Sequence, residues 1–389
     1  MKITQIVSHV LQYDLDEELG YSQQYYTRRS AHLVEVRTDS GLTGWGECFG
    51  PGNVALANKV IVEQVIAPMV VGSDPLDREV LWHRVYNLLR DHGQKGMPIQ
   101  ALSGVDIALW DLFGKATGQP LYQLLGGAFR DSVPVYGYGM MLTRGPGLAE
   151  RMARDAAVIR ESGYAATKMK VGLGVARDIE LVTAVREAVG DDFPLMVDAN
   201  HCYDVTDVLA VGRALGDLGV AWFEEPVAPE DRDGYRRLRD TLDVNIAGGE
   251  AEFTRWGWRD LLDAGCVDIA QPEVCAVGGV SEYLKVRALA HSRFVPVVNH
   301  VWGSAIAIAL NIHLLLAMPD LPGAMFPKAP MLELDTTPNR FRDDLLLEPL
   351  DVIGTVARDG AVGAPSGPGL GVEPNREIIA TYEVGGVRA

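Results

Sequence analysis

Short apolar segments alternate with helix-like segments from Val133 to Ala317, and this alternation constrains the fold more than any other feature. Alternating strands and helices are typical of a parallel sheet, in which each helix crosses back over one face. An eighth strand is expected between residues 323 and 334, so the pattern predicts a (β/α)7-8 TIM-type barrel rather than an open sheet. The seven visible strand candidates are 133–138, 166–170, 194–198, 221–224, 244–247, 267–270 and 295–298.

The first third of the chain has a mixed character. A polar, aromatic loop at 17–29 separates two strand-like segments, 3–13 and 31–37, and helical patterns follow at 54–71, 76–90 and 99–116. This pattern predicts an α+β domain over residues 1–128, followed by the barrel over residues 129–345. The turn-rich tail, residues 346–389, is expected to return to the first domain.

Composition excludes several classes of function. With 35 Lys and Arg against 52 Asp and Glu, the formal charge is −17, which opposes binding to nucleic acid or to anionic membrane surfaces. The four cysteines form no C-x-x-C pair, so zinc ribbons and redox motifs are not expected and a reducing cytoplasm fits. The N-terminus lacks the pattern of a signal peptide, and the apolar stretch 301–318 is too short and too interrupted to span a membrane.

A polar side chain recurs at the end of each strand candidate, at intervals of 23 to 28 residues from Lys170 to His300. In a barrel of parallel strands the carboxyl ends meet at one face, where such enzymes build their active sites. We therefore expect these side chains to converge on one site. In chain order they are Lys168 and Lys170, Asp198 and Asn200, Glu224 and Glu225, Glu250, Glu273, His300 and, at the eighth strand, Glu333.

Three of these residues, Asp198, Glu224 and Glu250, are acids that follow consecutive strands. Carboxylates that converge repel one another unless a cation lies between them. Oxygen-only ligands favour a hard ion, and Mg²⁺ is expected before Ca²⁺ or Zn²⁺. The alternative is that each acid caps the helix that follows it.

Basic groups flank the acids on two sides. Lys168 and Lys170 point the same way from one strand, and adjacent ammonium groups are expected to lower each other's pKa toward the range of a base. Across the barrel, Glu273 precedes His300 by one strand and is expected to orient the imidazole. Mg²⁺ with bases on two faces suits removal of a proton α to a carboxylate, because the cation stabilises the enediolate that forms.

The sequence resembles the mandelate racemase subgroup of the enolase superfamily over nearly its full length. The resemblance implies that residues 1–128 form an N-terminal α+β capping domain whose first loop, 17–29, closes the site. The segments that carry it are Gly44–Glu47 (GWGE), Ala101–Asp111 (ALSGVDIALWD), Lys168–Lys170 (KMK), Asp198–Asn200 (DAN), Trp222–Pro226 (WFEEP), Gly248–Glu250 (GGE) and His300–Gly303 (HVWG).

The resemblance also implies roles for single residues, in a family that uses a Lys or His base with Mg²⁺. Lys170 and His300 are then the acid/base groups, and Glu273 pairs with His300 where the family usually has Asp. Lys168 lies near the substrate carboxylate, and Glu333 hydrogen-bonds the substrate. The implied Mg²⁺ ligands are Asp198, Glu224 and Glu250, and the candidates for substrate binding are Asn200 with Tyr25 and Arg28 of the loop, which is also compatible with an ordinary surface segment.

Within the subgroup, segments 86–94 and 367–373 resemble galactarolactone cycloisomerases, which act on an acid-sugar lactone by α-proton removal and β-elimination. Acid-sugar dehydratases, and racemases or epimerases of hydroxy acids, share the same residues and remain alternatives. A non-catalytic scaffold is disfavoured, because it has no need for three ligands and both bases. The expected partners are a small carboxylate substrate and, by resemblance, further copies of the chain in a homo-oligomer.

Overall fold

A computed structural model describes residues 1–385, and its first domain is built on an antiparallel sheet. The strands are β1 (Ile3–Tyr21), β2 (Gln24–Thr38) and β3 (Thr43–Cys48). The segment 17–29, expected to be a loop, is instead the end of a long β1–β2 hairpin in which only Ser22 and Gln23 lie between the strands. Aromatic side chains of β2 favour pairing here, since Tyr25 lies opposite Gly20 and Tyr26 opposite Leu19.

The helices of this domain pack on one face of the sheet. The predicted helix 54–71 contains a π-helical segment, Ile61–Ile66, between two α-helical parts. A glycine pair lets the longest helix lie close to β3, because a Cβ at Gly46 would stand 2.1 Å from the Gly104 carbonyl oxygen. The α-helices are α1 (Val54–Val60), α2 (Ala67–Val70), α3 (Arg78–Leu89), α4 (Met97–Thr117) and α5 (Leu121–Leu124).

The second domain is built on a ring of parallel strands. Its strands are β4 (Val133–Met140), β5 (Ala166–Lys170), β6 (Leu195–Asp198), β7 (Trp222–Glu224), β8 (Asn245–Gly248), β9 (Ile269–Ala270) and β10 (Leu332–Asp335). They pair in the order β10-β4-β5-β6-β7-β8-β9. The segment 297–300 continues the ring beside β9 through two isolated parallel bridges, Ala270 with Val297 and Glu273 with His300. The predicted TIM-type barrel with an N-terminal α+β capping domain is thereby confirmed.

Amphipathic helices surround the barrel. In α8, for example, Val208, Val211 and Leu215 are buried at the three- and four-residue spacing of one helix face. The helices are α6 (Leu148–Glu161), α7 (Val175–Val189), α8 (Val205–Asp217), α9 (Arg232–Thr241), α10 (Thr254–Asp263), α11 (Val274–Val277), α12 (Gly279–His291), α13 (Ala305–Leu316) and α14 (Arg340–Asp343).

The tail touches both domains. It contains α15 (Val352–Asp359), β11 (Ala361–Val362), α16 (Arg376–Tyr382) and β12 (Glu383–Val384). β11 pairs with β4 of the barrel, whereas β12 pairs with β1, where Val384 lies opposite Val10. Of the expected tail, 346–389, the last four residues lie outside the described part of the chain.

Helix α4 and the barrel helix α12 join the two domains through buried hydrogen bonds. Trp110 Nε1 donates to Ser281 Oγ at 2.9 Å, and Ser281 Oγ donates to Asp106 Oδ1 at 2.6 Å. This seam holds the capping domain on the barrel through helix α4, in addition to the contacts of the hairpin. No helix within residues 1–385 is long and apolar enough to cross a membrane.

Candidate active site

The register of three parallel strands places the acids at one level of the barrel. Lys170 of β5 pairs with Asp198 of β6, and Asp198 pairs with Glu224 of β7. Glu250 follows β8 by two residues. One carboxylate oxygen from each of the three acids lies within 4.8 Å of the other two. The structure therefore brings Asp198, Glu224 and Glu250 together, and we call them the acid cluster.

Glu224 is held by residues on both sides of it. Its Oε2 accepts hydrogen bonds from Trp222 Nε1 at 3.0 Å and from Gln271 Nε2 at 2.6 Å, and its Oε1 lies 2.6 Å from Lys168 Nζ. Sequence reasoning missed Gln271. Its signal was present, because it is the first polar side chain after the apolar strand β9.

The two lysines are bound by acids. Lys168 Nζ lies 2.5 Å from Glu333 Oε1 as well as beside Glu224, and Lys170 Nζ lies 2.5 Å from Asp198 Oδ2. Burial lowers the pKa of both amines, but the neighbouring carboxylates outweigh it, so both pKa values are raised. Lys168 lowers the pKa of Lys170, as expected, but Asp198 raises it by more. The expected net lowering of the pKa of Lys170 is therefore wrong for the protein without a bound cation. A cation on the same carboxylates opposes this rise, because it neutralises the charge that causes it.

His300 stands on the other side of the acid cluster. Its Nδ1 lies 2.7 Å from Glu273 Oε2, so the longer side chain at this position does reach the imidazole. The other Glu273 oxygen accepts from the Cys275 backbone N–H at 2.8 Å, which anchors the glutamate at the start of α11. Burial lowers the pKa of His300, but the charge of Glu250 and the bond to Glu273 raise it to about 10.

The donor set fits a hard divalent cation. Three buried acceptor atoms around the cluster, Glu250 Oε2, Asn200 Oδ1 and Gln271 Oε1, have no hydrogen-bond donor. Glu250 Oε2 is 3.2 Å from His300 Nε2 but does not form a hydrogen bond with it. Unpaired buried acceptors are costly, and carboxylate oxygens are the ligands that Mg²⁺ prefers. The residues present therefore match the expected ion.

Two strained turns follow β6 and β7. Asn200, His201 and Glu225 have φ angles of 43°, 56° and 42°, which are unfavourable for residues other than glycine. The His201 backbone N–H donates to the Glu225 carbonyl at 2.7 Å, and His201 Nδ1 lies 2.9 Å from Glu225 Oε2. Sequence reasoning noted Glu225 but missed its histidine partner, which sits at the rim of the site.

The remaining predicted residues divide into those at the cluster and those away from it. Glu333 Oε2 accepts from the Val301 backbone N–H at 2.8 Å, so this acid is fixed beside Lys168. Tyr25 packs under Arg144, whose guanidinium carbon is 4.2 Å from the ring centre, and Arg28 pairs with Asp14 with its side chain 52% exposed. The structure thus does not bring Tyr25 or Arg28 to the cluster.

Tyr26 and Arg29 occupy the inner side of the hairpin instead. The β1–β2 register shifts between the pairs Asp14–Arg28 and Leu19–Tyr26, which breaks the simple alternation of sides along β2. The hairpin tip reaches the loop after β6, where Ser22 Oγ donates to the Ala199 carbonyl at 2.7 Å. The cap therefore closes over the acid cluster.

Comparison with known proteins agrees with this geometry. Residues 151–378 match the enolase C-terminal domain-like family, and residues 21–126 match the N-terminal domain of the mandelate racemase / muconate lactonizing enzymes. The chain is 41% identical to D-galactarolactone cycloisomerase of Agrobacterium fabrum over 99% of both chains. It is 33% identical to arabinonate dehydratase of Saccharolobus solfataricus over 90% of both.

Solved structures give the same result. The 3,6-anhydro-D-galactonate cycloisomerase from Zobellia galactanivorans superposes with a TM-score of 0.87 at 35% identity, over 99% of this chain and 100% of that one. A racemase from Streptomyces coelicolor with bound magnesium superposes with a TM-score of 0.87 at 29% identity, over 98% and 100%. The chain is therefore an enzyme of the enolase superfamily and belongs to its mandelate racemase subgroup.

Proposed function

We propose that this enzyme uses Mg²⁺ to remove the proton α to a carboxylate of an acid sugar or of its lactone, through an enediolate. The observation that carries the proposal is the acid cluster, in which Lys170 Nζ lies 2.5 Å from Asp198 Oδ2 and His300 Nε2 lies 3.2 Å from Glu250 Oε2. Mg²⁺ bound there would neutralise the substrate carboxylate and stabilise the negative charge that develops when the proton leaves.

The positions of the residues around the acid cluster suggest the role of each. Lys170 and His300 reach the cluster from β5 and from segment 297–300, which lie on different sides of the ring. One of them takes the α-proton, and the other protonates the atom that leaves or returns a proton to carbon. Lys168 and Glu333 form an ion pair, and they position the substrate carboxylate beside them.

Lactone isomerisation is the outcome we favour. The base takes the α-proton, the C–H electron pair forms the enediolate, and its collapse makes a Cα–Cβ double bond while the β-oxygen leaves with a proton from the acid. In a lactone that oxygen belongs to the ring, so the ring opens. The support is the 41% identity to a galactarolactone cycloisomerase over 99% of both chains.

Dehydration is the second candidate. It uses the same steps with a hydroxyl group leaving as water, and the 33% identity to an arabinonate dehydratase supports it. Reversible proton transfer between the two faces, as in a racemase or epimerase, needs no leaving group at all. A cytoplasmic location and a homo-oligomeric state stay predictions.

Proton NMR in D₂O separates these outcomes. The protein with Mg²⁺ is incubated with D-galactarolactone and, separately, with arabinonate. We expect loss of the α-proton signal and ring opening of the lactone. Dehydration of arabinonate alone favours the second candidate, and two epimers without elimination favour the racemase. No exchange and no conversion of any acid sugar or lactone, in protein shown to bind Mg²⁺, contradicts the proposal.

A further inference from the structure

Residues 47–49, at and just after the end of strand β3, attach the capping domain to the barrel beside His300. Glu47 is buried, and its carboxylate binds the start of helix α13. Its Oε1 accepts from the Ser304 backbone N–H at 2.9 Å, and its Oε2 accepts from the Ser304 hydroxyl at 2.6 Å and from the Ala307 backbone N–H at 3.1 Å. We call residues 47–49 the β3 anchor, and the proposed function gives it no role.

The start of α13 depends on the carboxylate of Glu47. The first N–H groups of a helix have no acceptor within the helix, and negative charge is favoured near them. Ser304 supplies one acceptor itself, since its Oγ accepts from the Ile306 N–H at 3.1 Å. Glu47 supplies two more, as in a capping box whose acid comes from another domain. Because His300 lies four residues before Ser304, these bonds also hold the segment that carries His300.

The β3 anchor also holds the partner of His300. The Phe49 backbone N–H donates to the carbonyl of Cys275 in helix α11 at 2.9 Å. The Cys275 N–H in turn donates to Glu273 Oε1 at 2.8 Å, and Glu273 Oε2 lies 2.7 Å from His300 Nδ1. The anchor therefore reaches both members of the Glu273–His300 pair, through α13 on one side and α11 on the other.

The side chain of Phe49 limits the orientation of the imidazole. Its ring meets the His300 ring edge to face, with the centres 5.8 Å apart and the planes at 78°, and it meets the Trp302 ring in the same way at 6.1 Å and 71°. A hydrogen bond at Nδ1 alone leaves the ring plane free to tilt, and the Phe49 ring removes that freedom. The direction of Nε2, which lies 3.2 Å from Glu250 Oε2, is thereby set.

A second seam of the same chemistry separates this role from simple attachment of the domains. Asp106 of the capping domain accepts from the Ser281 backbone N–H at 2.9 Å and from the Ser281 hydroxyl at 2.6 Å. Both acids are buried, and burial raises the pKa of each to about 7. Among the described residues, no side-chain hydrogen bond of Asp106 or Ser281 reaches Glu273 or His300. The two seams differ in position and not in kind.

We propose that Glu47 and Phe49 are positioning residues for His300, so that the capping domain contributes to the proton-transfer step as well as enclosing the site. Glu47 acts through α13, and Phe49 acts through α11 and through its own ring. This inference rests on the proposed function, because it requires that His300 transfers a proton. A misplaced proton-transfer group slows the chemical step without weakening the binding of substrate in the ground state.

Steady-state kinetics compares the two seams. Glu47→Gln keeps the shape of the side chain but replaces one acceptor oxygen with an amide nitrogen that cannot accept. We expect kcat to fall by about tenfold and KM to change by less than about twofold. Asp106→Asn makes the same chemical change at the other seam and should keep kcat. Ser304→Ala and Ser281→Ala repeat the comparison from the barrel side, and they decide it if circular dichroism shows that Glu47→Gln does not fold.

A double-mutant cycle separates positioning of His300 from a general loss of structure. In a His300→Asn background, Glu47→Gln should cause no further fall in kcat, because the imidazole that it positions is absent. A general structural defect instead lowers kcat by the same factor in both backgrounds. Phe49→Leu keeps the backbone bond to Cys275 but removes the ring edge, and it should show a smaller fall in kcat with the same dependence on His300.

NMR of the imidazole tests the contact without requiring turnover. The chain has eight histidines, so ¹⁵N-histidine labelling gives few signals, and the signal of His300 is the one that His300→Asn removes. In protein loaded with Mg²⁺, Glu47→Gln and Ser304→Ala should shift this signal. Asp106→Asn and Ser281→Ala should leave it in place.

The outcomes separate this inference from the proposed function. Equal falls in kcat for Glu47→Gln and Asp106→Asn, the same Glu47→Gln factor with and without His300, or an unmoved His300 signal each overturn the positioning role. A His300 signal that moves as expected, in a protein that converts no acid sugar or lactone, keeps the contact to His300 and overturns the proposed function. Turnover of an acid sugar that His300→Asn leaves intact keeps the function and overturns the positioning role.

Discussion

The barrel end and the hairpin of the capping domain enclose the same site but are held in place in different ways. Asp198 and Glu224 are the last residues of two parallel strands whose register places them side by side, and buried donors bind their oxygens. The hairpin tip meets the barrel through Ser22 and Gln23, which donate to backbone carbonyls of the loop after β6. The comparison indicates that the residues proposed for proton transfer are held by buried contacts within the barrel, whereas the hairpin is held on the barrel at its tip.

The ion pairs of the two regions show the same contrast. Lys168 and its carboxylate partners are about 1% exposed. On the hairpin, Glu18 pairs with Arg144 at 2.7 Å and Glu17 pairs with Arg151, and the exposed fractions of these four side chains range from 28% to 69%. Exposed pairs contribute little free energy and are screened by salt, so they release easily. Changes at the barrel end should therefore act on kcat, and changes at the hairpin on KM.

The largest expected effect is at the two proton-transfer residues. Lys170→Ala and His300→Asn should each lower kcat by about 10²–10⁴-fold, because each removes a group that transfers a proton in the transition state. Steady-state kinetics measures the loss. Exchange of the α-proton in D₂O then identifies the base, since the variant that lacks it stops exchange while the other still exchanges.

Matched variants guard against a loss of fold. Lys2→Ala, at the exposed N-terminus, and His83→Asn, on the exposed side of α3, should keep full activity. Circular dichroism of all four proteins should be the same. Near-native turnover by Lys170→Ala or His300→Asn removes that residue from the proton-transfer pair.

A smaller effect is expected at Glu273. Glu273→Gln replaces the charged partner of His300 Nδ1 with a neutral one, which should lower kcat by about 10–100-fold. Because Glu273 raises the pKa of His300, the limb of the pH–kcat profile that belongs to His300 should move to lower pH. Glu273→Asp keeps the charge and should retain more activity than Glu273→Gln. An unchanged pH profile in Glu273→Gln means that the pair has no part in the reaction.

The seam between the domains gives a prediction on stability rather than on rate. Burial raises the pKa of Asp106 to about 7, although its bonds to Ser281 lower it. A carboxyl with a raised folded-state pKa binds its proton more tightly when folded, so its contribution is present below about pH 4 and is lost as the pH rises through about 7. Asp106→Asn has no such loss. Its unfolding free energy relative to the unmodified protein should therefore rise by about 2–3 kcal/mol from pH 5 to pH 8 in urea denaturation, and a constant difference contradicts this.

The smallest effect is expected at the hairpin ion pairs. Glu17→Gln with Glu18→Gln should change KM by less than about fivefold and leave kcat unchanged, because exposed pairs contribute no more than about 1 kcal/mol. The change should disappear at high ionic strength. An effect on kcat as large as that of Glu273→Gln would mean that the hairpin takes part in the chemistry.

The residues at the barrel end could be predicted from the sequence because each is marked by the strand that directly precedes it. Asp198 and Glu224 each end an apolar strand, and the repeat of one strand and one helix places them at the same face. The hairpin could not be predicted in the same way. Its inner residues depend on a register shift between Asp14 and Leu19, which local patterning does not reveal. The sequence therefore predicts Tyr25 and Arg28 at positions where Tyr26 and Arg29 face inward.

The pKa values of the site residues also could not be predicted without the fold. The pKa values of Lys168 and Lys170 depend on acids that lie 28 or more positions away in the sequence and 2.5–2.6 Å away in space. Two lysines on the same side of one strand suggest that each lowers the pKa of the other. The nearby carboxylates reverse this effect. Gln271 likewise is recognised as part of the site only from its hydrogen bond to Glu224.

Calorimetric titration of Mg²⁺ into metal-free protein tests most directly whether the acid cluster binds one divalent cation. The account predicts one Mg²⁺ per chain, with binding strongly weakened in Glu250→Gln and unchanged in Glu252→Gln, two residues further along the same segment. Absence of binding by the unmodified protein, or the same affinity in Glu250→Gln, would contradict it.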